Sequence, residues 1–296
     1  MAETILVTGA TGTVGSEVVK QLLSAKGERK DIKAAARSAN DSTFRNLGVQ
    51  ALELDYNKPD TISAALSGID KLFLLTPFQS NMVDLTSNLV NEAKKAGVKY
   101  IVKQSVLGAD DAEQAITPSR LHRQAEKVIE ESGIPFTFLR PNFFMQNFVT
   151  FYSNFIKTQG AFYVPAGDAK ASFVDVRDIA AVAVQALSGS KNGESKHIGK
   201  AYDITGAEAL SYGEAAEILS KELAKKVSYV NISDEDARKG MKDMGADEWT
   251  INSMIELFGI TRAGYLSEIS PAVEQVTGNK PTTFSQFARD YASAFK

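Results

Sequence analysis

The chain has no cysteine among its 296 residues, which excludes disulfides, thiolate nucleophiles and thiolate metal sites. Its two histidines, His122 and His197, are too few for a structural zinc site, so no metal is assigned. A basic excess is missing as well: 33 Lys and Arg stand against 36 Asp and Glu, for a formal net charge of -3. Without clustered Lys and Arg to follow a phosphate backbone, nucleic acid is not expected as a partner. No apolar run approaches the ~18 residues needed to span a bilayer. Strand-forming residues begin by Thr4 with no charged-then-apolar leader before them. A cytoplasmic protein with no membrane partner is the expectation.

What is present is ordinary globular composition, 44% hydrophobic and 23% charged, in a chain long enough to bury a sizeable core. The opening is its most informative stretch. Thr4-Ile-Leu-Val7 is β-branched and apolar, Gly9, Gly12 and Gly15 follow, and apolar residues recur at Val14, Val18, Val19, Leu22 and Leu23 with helical spacing. Strand, glycine turn and helix together bring backbone N–H groups and the positive end of a helix up to a phosphate.

Further strands are predicted at Ile32–Ala36, Val49–Asp55, Lys71–Leu75, Tyr100–Gln104 and Phe136–Arg140. Between them, helices are predicted near Ser42–Leu47, from an Asp60 N-cap to Ser67, over Met82–Ala96, and from Pro118 to Ser132. This alternation implies crossover connections, hence an α/β fold with a doubly wound parallel sheet. Beyond Pro141 the alternation fails. Ser172–Asp175 leads into a helix over Ile179–Leu187, Gly189–Gly199 reads as a polar surface loop, and Ala201–Thr205 and Val227–Val230 read as strands. Ser211 and Thr283 each open a capping-box sequence. The expected division is residues 1–141 as the nucleotide-binding domain, with segments from 172–188 and 201–205 returning to it, and 142–296 as a smaller, mostly helical substrate lobe.

In the glycine turn, Gly9 permits the tight bend, Gly12 the close approach of phosphate and Gly15 the packing of helix on strand; Thr11, Thr13 and Val14 complete it. An acid at the end of the second strand would accept hydrogen bonds from a ribose 2′-hydroxyl, whereas an arginine accommodates a 2′-phosphate. Ala36-Arg37-Ser38 offers no acid. NADP is therefore expected in preference to NAD, the alternative being that Arg37 is an ordinary surface charge. Asp55 either meets the adenine amino group or caps a turn, with Tyr56 alongside. Ligands of open parallel sheets lie across the carboxyl ends of the strands. That rule nominates Leu75, Thr76 and Pro77 after the fourth strand, Ser105 after the fifth, and Pro141, Asn142 and Phe143 after the sixth.

Val7-Thr-Gly-Ala-Thr-Gly-Thr-Val-Gly15, the Ala36-Arg37 strand end, Asp55-Tyr-Asn-Lys-Pro59, Gly97-Val-Lys-Tyr-Ile101 and Ser132-Gly-Ile-Pro-Phe-Thr-Phe-Leu-Arg-Pro141 together resemble the NmrA-like, atypical short-chain dehydrogenase/reductase family. The style is nearest to its triphenylmethane reductase and NADPH:quinone reductase branch, and the resemblance covers most of residues 1–180. It implies a Rossmann domain binding NADP and a small variable domain that closes a substrate cleft. Typical short-chain dehydrogenases carry Tyr-x-x-x-Lys on the helix after the fifth strand, the lysine lowering the tyrosine pKa. With Glu126 aligned, Pro118 and His122 occupy those two positions, so the usual acid is missing. Ser105 or its neighbour Gln104 falls where the family's catalytic serine would be.

His122, whose unperturbed pKa would be near ~6.5, is the candidate proton donor, with a structural, satisfied histidine as the alternative; Ser105 is a candidate for orienting the substrate. His197, in a Ser-Lys-His loop, is read as inert. Nine of the 16 phenylalanines lie between Phe136 and Phe173. Phe144, Phe148 and Tyr152, with Phe78, are candidates to wall a pocket for a planar substrate, a core role being the alternative for each. The expected function is hydride transfer from NADPH to a planar apolar acceptor such as a quinone or aromatic dye, by a monomer or homodimer and without the tyrosine acid. The other reading is an NADP-sensing regulator acting through a protein partner.

Overall fold

The computed structural model describes residues 3–25, 31–38, 44, 47–111, 115–188 and 195–296. The helix predicted near Ser42–Leu47 and half of the Gly189–Gly199 loop lie outside the described residues. The chain divides into two compact units: Met1–Asp110, Arg120–Arg140 and Ile179–Tyr202 form the first, and Asp111–Ser119, Pro141–Asp178 and Asp203–Lys296 the second.

The first unit is built on strands β1 (Thr4–Val7), β2 (Asp31–Ala36), β3 (Gln50–Glu53), β4 (Lys71–Leu74), β5 (Tyr100–Gln104) and β6 (Phe136–Pro141), extended by β9 (Lys200–Ile204). Their order in the sheet is β3-β2-β1-β4-β5-β6-β9. The pairings from β3 through β6 are all parallel. Gly199 N donates to Phe136 O at one end of β6 and Asn142 N to Ile204 O at the other, so β9 runs the same way. Strand order reverses between β1 and β4, which makes their carboxyl ends the switch point where such sheets bind ligands. Helices α1 (Thr13–Ser24), α2 (Pro59–Leu66), α3 (Met82–Ala96) and α4 (Thr117–Ser132) make the crossovers. With both faces covered, the strands are continuous apolar runs: Leu6, Leu72, Leu74 and Ile101 pack with Ile62, Leu66, Leu89, Ile129 and Phe138 in one buried cluster.

Two sequence expectations change here. Asp60 is not the N-cap of α2; Lys58 is, with Pro59 at the first helical position. Proline is pre-organised there and its missing N–H costs nothing, so the helix starts two residues earlier. His197 is not in a surface loop but buried: its carbonyl accepts from Thr137 Oγ1, and its Nδ1 lies 2.8 Å from the Tyr202 hydroxyl. Residues 195–199 fold back along β6, and that cover buries the ring.

In the second unit, α5 (Ser153–Gln159) precedes β7 (Ala161–Val164) and β8 (Lys170–Ala171); α6 (Val176–Ser188) then runs back into the first unit. Ser172–Asp175 makes only a backbone bridge, Val174 to Phe144. β10 (Leu210–Ser211) pairs antiparallel with β8, and β11 (Ser228–Asn231) parallel with β7. Helices α7 (Tyr212–Leu223), α8 (Asp234–Asp243), α9 (Glu248–Arg262), α10 (Ala272–Thr277) and α11 (Phe284–Asp290) follow. The capping box of Ser211 and Glu214 forms in full. At Thr283 only half forms: Thr283 Oγ1 accepts from Gln286 N, while the Gln286 side chain donates to Asp290 instead. No helix among the described residues is long and apolar enough to cross a membrane.

Candidate functional site

The turn after β1 is a cradle emptied of side chains. Gly9 sits at φ +61°, in the left-handed region that favours glycine. A Cβ on Gly15 would stand 2.2 Å from the Gly9 carbonyl oxygen, and one on Gly9 would stand 3.0 Å from the Leu75 side chain. Gly12 is the N-cap of the 12-residue α1 and provides no side-chain cap. Thr11, Gly12 and Thr13 are exposed while Val14 is buried beneath them, so the first amides of α1 face outward with their donors open. These are the features a pyrophosphate requires.

Around the cradle, Arg37 is exposed just after β2, and no described residue pairs with its guanidinium. Asp55 takes the turn-capping alternative: its Oδ1 accepts from the Asn57 amide at 3.0 Å, and its Oδ2 lies 3.8 Å from Lys58 Nζ. The Tyr56 hydroxyl donates to the Leu75 carbonyl at 2.9 Å, and burial pushes that phenol up to about 12. Leu75 N donates in turn to Thr8 Oγ1 at 2.8 Å. Thr76 is buried, its hydroxyl 3.0 Å from that of Thr86, and Pro77 and Phe78 are exposed. The segment after β4 is thus pinned by its polar atoms to the floor of the turn.

At the carboxyl end of β5 stands a group the sequence reading missed. Lys103 is wholly buried, with its Nζ 2.8 Å from the Gln104 carbonyl and 3.1 Å from His122 Nδ1. Burial pushes this lysine down to about 7, with Glu126 opposing and Arg140 adding to the fall. Burial and then the Lys103 charge hold His122 well below the usual imidazole range, so its ring is neutral. Phe78 stacks on that ring, with 6.4 Å between centroids and 11° between planes. Beside them, Gln104 Oε1 and Ser105 Oγ are buried without any hydrogen-bond partner. Orphaned buried polar atoms are uncommon and call for a missing partner; here two occur together at a strand end where a nicotinamide ring would arrive. Behind the pair, Glu126, fully buried, accepts from Arg140 at 3.0 and 2.8 Å. A lysine inside the otherwise apolar run Tyr100-Ile-Val-Lys-Gln104 was the available signal.

In the second unit the aromatic segment separates into two jobs. Phe148 is only 1% exposed and meets Tyr152, Phe162, Phe173 and Phe284 edge-on at 4.9–5.5 Å between centroids. It is core, which corrects its placement as a pocket wall; nine phenylalanines so close in sequence fill one interior before they line a surface. Phe144 is half-buried beside Val174 and does not border the cavity described next. Asn142 is buried, its amide donating to Ser172 Oγ and Leu266 O at 2.9 and 2.8 Å and its Oδ1 accepting from Phe143 N. Its polar atoms clasp the second unit together. Pro141 is buried, and Phe143 packs 6.3 Å from Phe258. Tyr152, by contrast, borders a cavity of about 800 Å³ together with Phe151, Phe155, Met241, Met244 and Met254. The methionines were missed because they approach from α8, α9 and the turn between them; three of the chain's six between positions 241 and 254 was the signal.

Fold and glycine cradle together define a Rossmann-type dinucleotide-binding protein with an apolar cavity in its second unit. The chain belongs to the NmrA-like family, which matches residues 1–288. It is 40% identical over 291 residues to an NAD(P)H azoreductase of Xenophilus azovorans, covering 98% of this chain and 99% of that one. In structure it is similar to the NADPH-dependent quinone oxidoreductase QOR2 of Escherichia coli complexed with NADPH, with a TM-score of 0.83 at 28% identity over 97% of this chain and 99% of that one. It is likewise similar to the Citrobacter sp. triphenylmethane reductase complexed with NADP(H), with a TM-score of 0.83 at 27% identity over 98% and 99%.

Proposed function

We propose that this chain, an NAD(P)H-dependent oxidoreductase, reduces a planar apolar acceptor such as a quinone, an azo dye or another aromatic dye, with NADPH as its donor. The reading is carried by two features, each seen within its own unit: a side-chain-free cradle at the switch point of the first unit's sheet and, in the second, a cavity of about 800 Å³ walled by aromatic and methionine side chains. When bound, the reduced nicotinamide supplies a hydride. The chain's own residues do the rest. The outward amides at the start of α1, beginning with Thr13, hold the pyrophosphate, the Gly12 amide being taken up by the Gly9 carbonyl at 2.9 Å, and Arg37 meets the 2′-phosphate. Gln104 and Ser105 offer unpaired oxygens to the nicotinamide end. The cavity binds the acceptor by apolar and aromatic contact, its methionines adapting to ring systems of different outline. Positioning and exclusion of water lower the barrier for an acceptor that is already electrophilic. The pocket role belongs to Tyr152 with Phe151, Phe155 and the methionines.

The support from relatives is chemical in kind: they include an azoreductase, a quinone oxidoreductase and a triphenylmethane reductase, and azo compounds, quinones and triphenylmethane dyes are all conjugated electron acceptors. The test is NADPH oxidation against a panel of quinones, azo dyes and triphenylmethane dyes, with small charged carbonyl compounds as controls. Turnover is expected with several planar acceptors and none of the controls. NADPH binding without turnover on any acceptor would overturn the reductase reading and favour a nucleotide sensor.

A further inference from the structure

Lys103 and His122 are the two titratable side chains at the carboxyl end of β5 that the hydride step leaves unused. Both acceptors around Lys103 Nζ are settled by chemistry: the Gln104 carbonyl accepts, and so does His122 Nδ1 when the lysine is charged. A donor on Nδ1 fixes the neutral ring as its Nε2–H tautomer. No described residue hydrogen-bonds Nε2, and the half-buried ring is steadied by Phe78. A carbonyl on one side and a lone pair on the other leave the ammonium one proton path, through the imidazole to whatever meets Nε2.

We propose that Lys103 and His122 form a proton relay for the product of reduction, His122 Nε2 giving the proton and Lys103 restoring it through Nδ1. The proposal rests on the reductase reading. For a quinone, the acceptor gains a hydrogen with its electron pair from the reduced nicotinamide, so it is reduced by two electrons and left as a hydroquinone anion. Its charged oxygen takes the Nε2 proton of His122. Nδ1 takes a proton from the Lys103 ammonium, leaving a neutral amine. Solvent then reprotonates Nε2, and the Nδ1 proton returns to Lys103. In sum, quinone, NADPH and one proton become hydroquinone and NADP. The relay takes the place of the absent tyrosine, its lysine arriving from the strand instead of the helix, and Lys103 acts through His122 as a positioning residue.

The charged groups that face Lys103 set its working range. His122 and Glu126 come from α4, and Arg140 from β6 with Asp110 on its far side, 2.5 Å away. Burial dominates and brings the lysine to about 7. Because this pKa is lowered, the relay is loaded below that pH and empties as pH rises through it.

Imidazole ¹⁵N NMR and steady-state kinetics test the proposal, with two histidines in the chain making assignment simple; His122→Gln removes one signal. In the wild type the His122 Nδ1 resonance should shift with a midpoint near 7 while the ring stays neutral, and Lys103→Met should abolish that shift. With a quinone acceptor, wild-type kcat should fall as pH rises through about 7. Lys103→Met, and independently His122→Gln, should lower kcat about 100-fold at pH below that midpoint and flatten the profile, with NADPH affinity unchanged. A folded Lys103→Met enzyme with wild-type kcat and pH profile would overturn the relay, as would an Nδ1 resonance that does not move in the wild type. If the wild type binds NADPH but reduces no acceptor, the reductase reading fails, and the NMR arm still decides whether the two side chains exchange a proton.

Discussion

The glycine turn of the first unit and the aromatic interior of the second are built on opposite principles. The turn works by omission: Gly15 leaves no room for a Cβ 2.2 Å from Gly9 O, and its donors are backbone amides that no side chain caps. The interior works by bulk, with Phe148 at the centre of five aromatic neighbours. Three residues on, Phe151 is 55% exposed and borders the cavity. A site made from backbone tolerates almost no change of residue yet asks little of its surroundings. A site made from side chains is redundant at its rim and rigid only where the core beneath it is full.

The sharpest break in that comparison lies between Phe148 and Phe151. Phe148→Ala removes a fully buried ring and should cost about 3–5 kcal/mol of unfolding free energy. Phe151→Ala should cost less than about 0.5 kcal/mol while raising KM for the acceptor and leaving NADPH affinity alone. Chemical denaturation and acceptor titration on the two variants check both. Equal destabilisation would mean that the cavity wall and the core are one structure.

Gly15→Val probes the other side. Its branched Cβ must displace the Gly9 carbonyl, and NADPH binding should weaken by more than about 100-fold, roughly 2.7 kcal/mol, as read by fluorescence titration. A dye that binds the second unit's cavity should keep its affinity in this variant. Loss of both together would show that the two regions are not separable.

That contrast also explains what was legible in the sequence. The cradle and the β4 and β5 strand ends are local: strand, turn and helix are contiguous, and a glycine's freedom is a property of its own position. Six strands and their order of appearance followed from the same contiguity. The Lys103–His122 pair joins a strand to a helix 19 residues later, and nothing in spacing alone says that a strand lysine points toward that helix. The cavity gathers Tyr152 with Met241, Met244 and Met254, residues some ninety to a hundred positions apart, so composition revealed an aromatic excess without its partners. Phe148 was placed on a pocket wall because a density of aromatics nominates each of its members, while packing decides which of them lines a surface.

Arg37 is where the smallest effect carries the most information about the cofactor. It is exposed, no described residue pairs with it, and the end of β2 brings no acid to accept a ribose hydroxyl. Arg37→Ala should therefore raise the Kd for NADPH about tenfold, near 1.4 kcal/mol, while that for NADH stays within about twofold. The interaction is between exposed charges, so it should weaken as salt shortens the Debye length. In the wild type the preference for NADPH should shrink between low and high ionic strength, and in the variant it should be small throughout. Equal losses for NADPH and NADH would mean that Arg37 supports the loop and does not read the phosphate. No loss for either would make it the ordinary surface charge that its exposure alone would suggest, and the choice of NADPH would then rest on other residues.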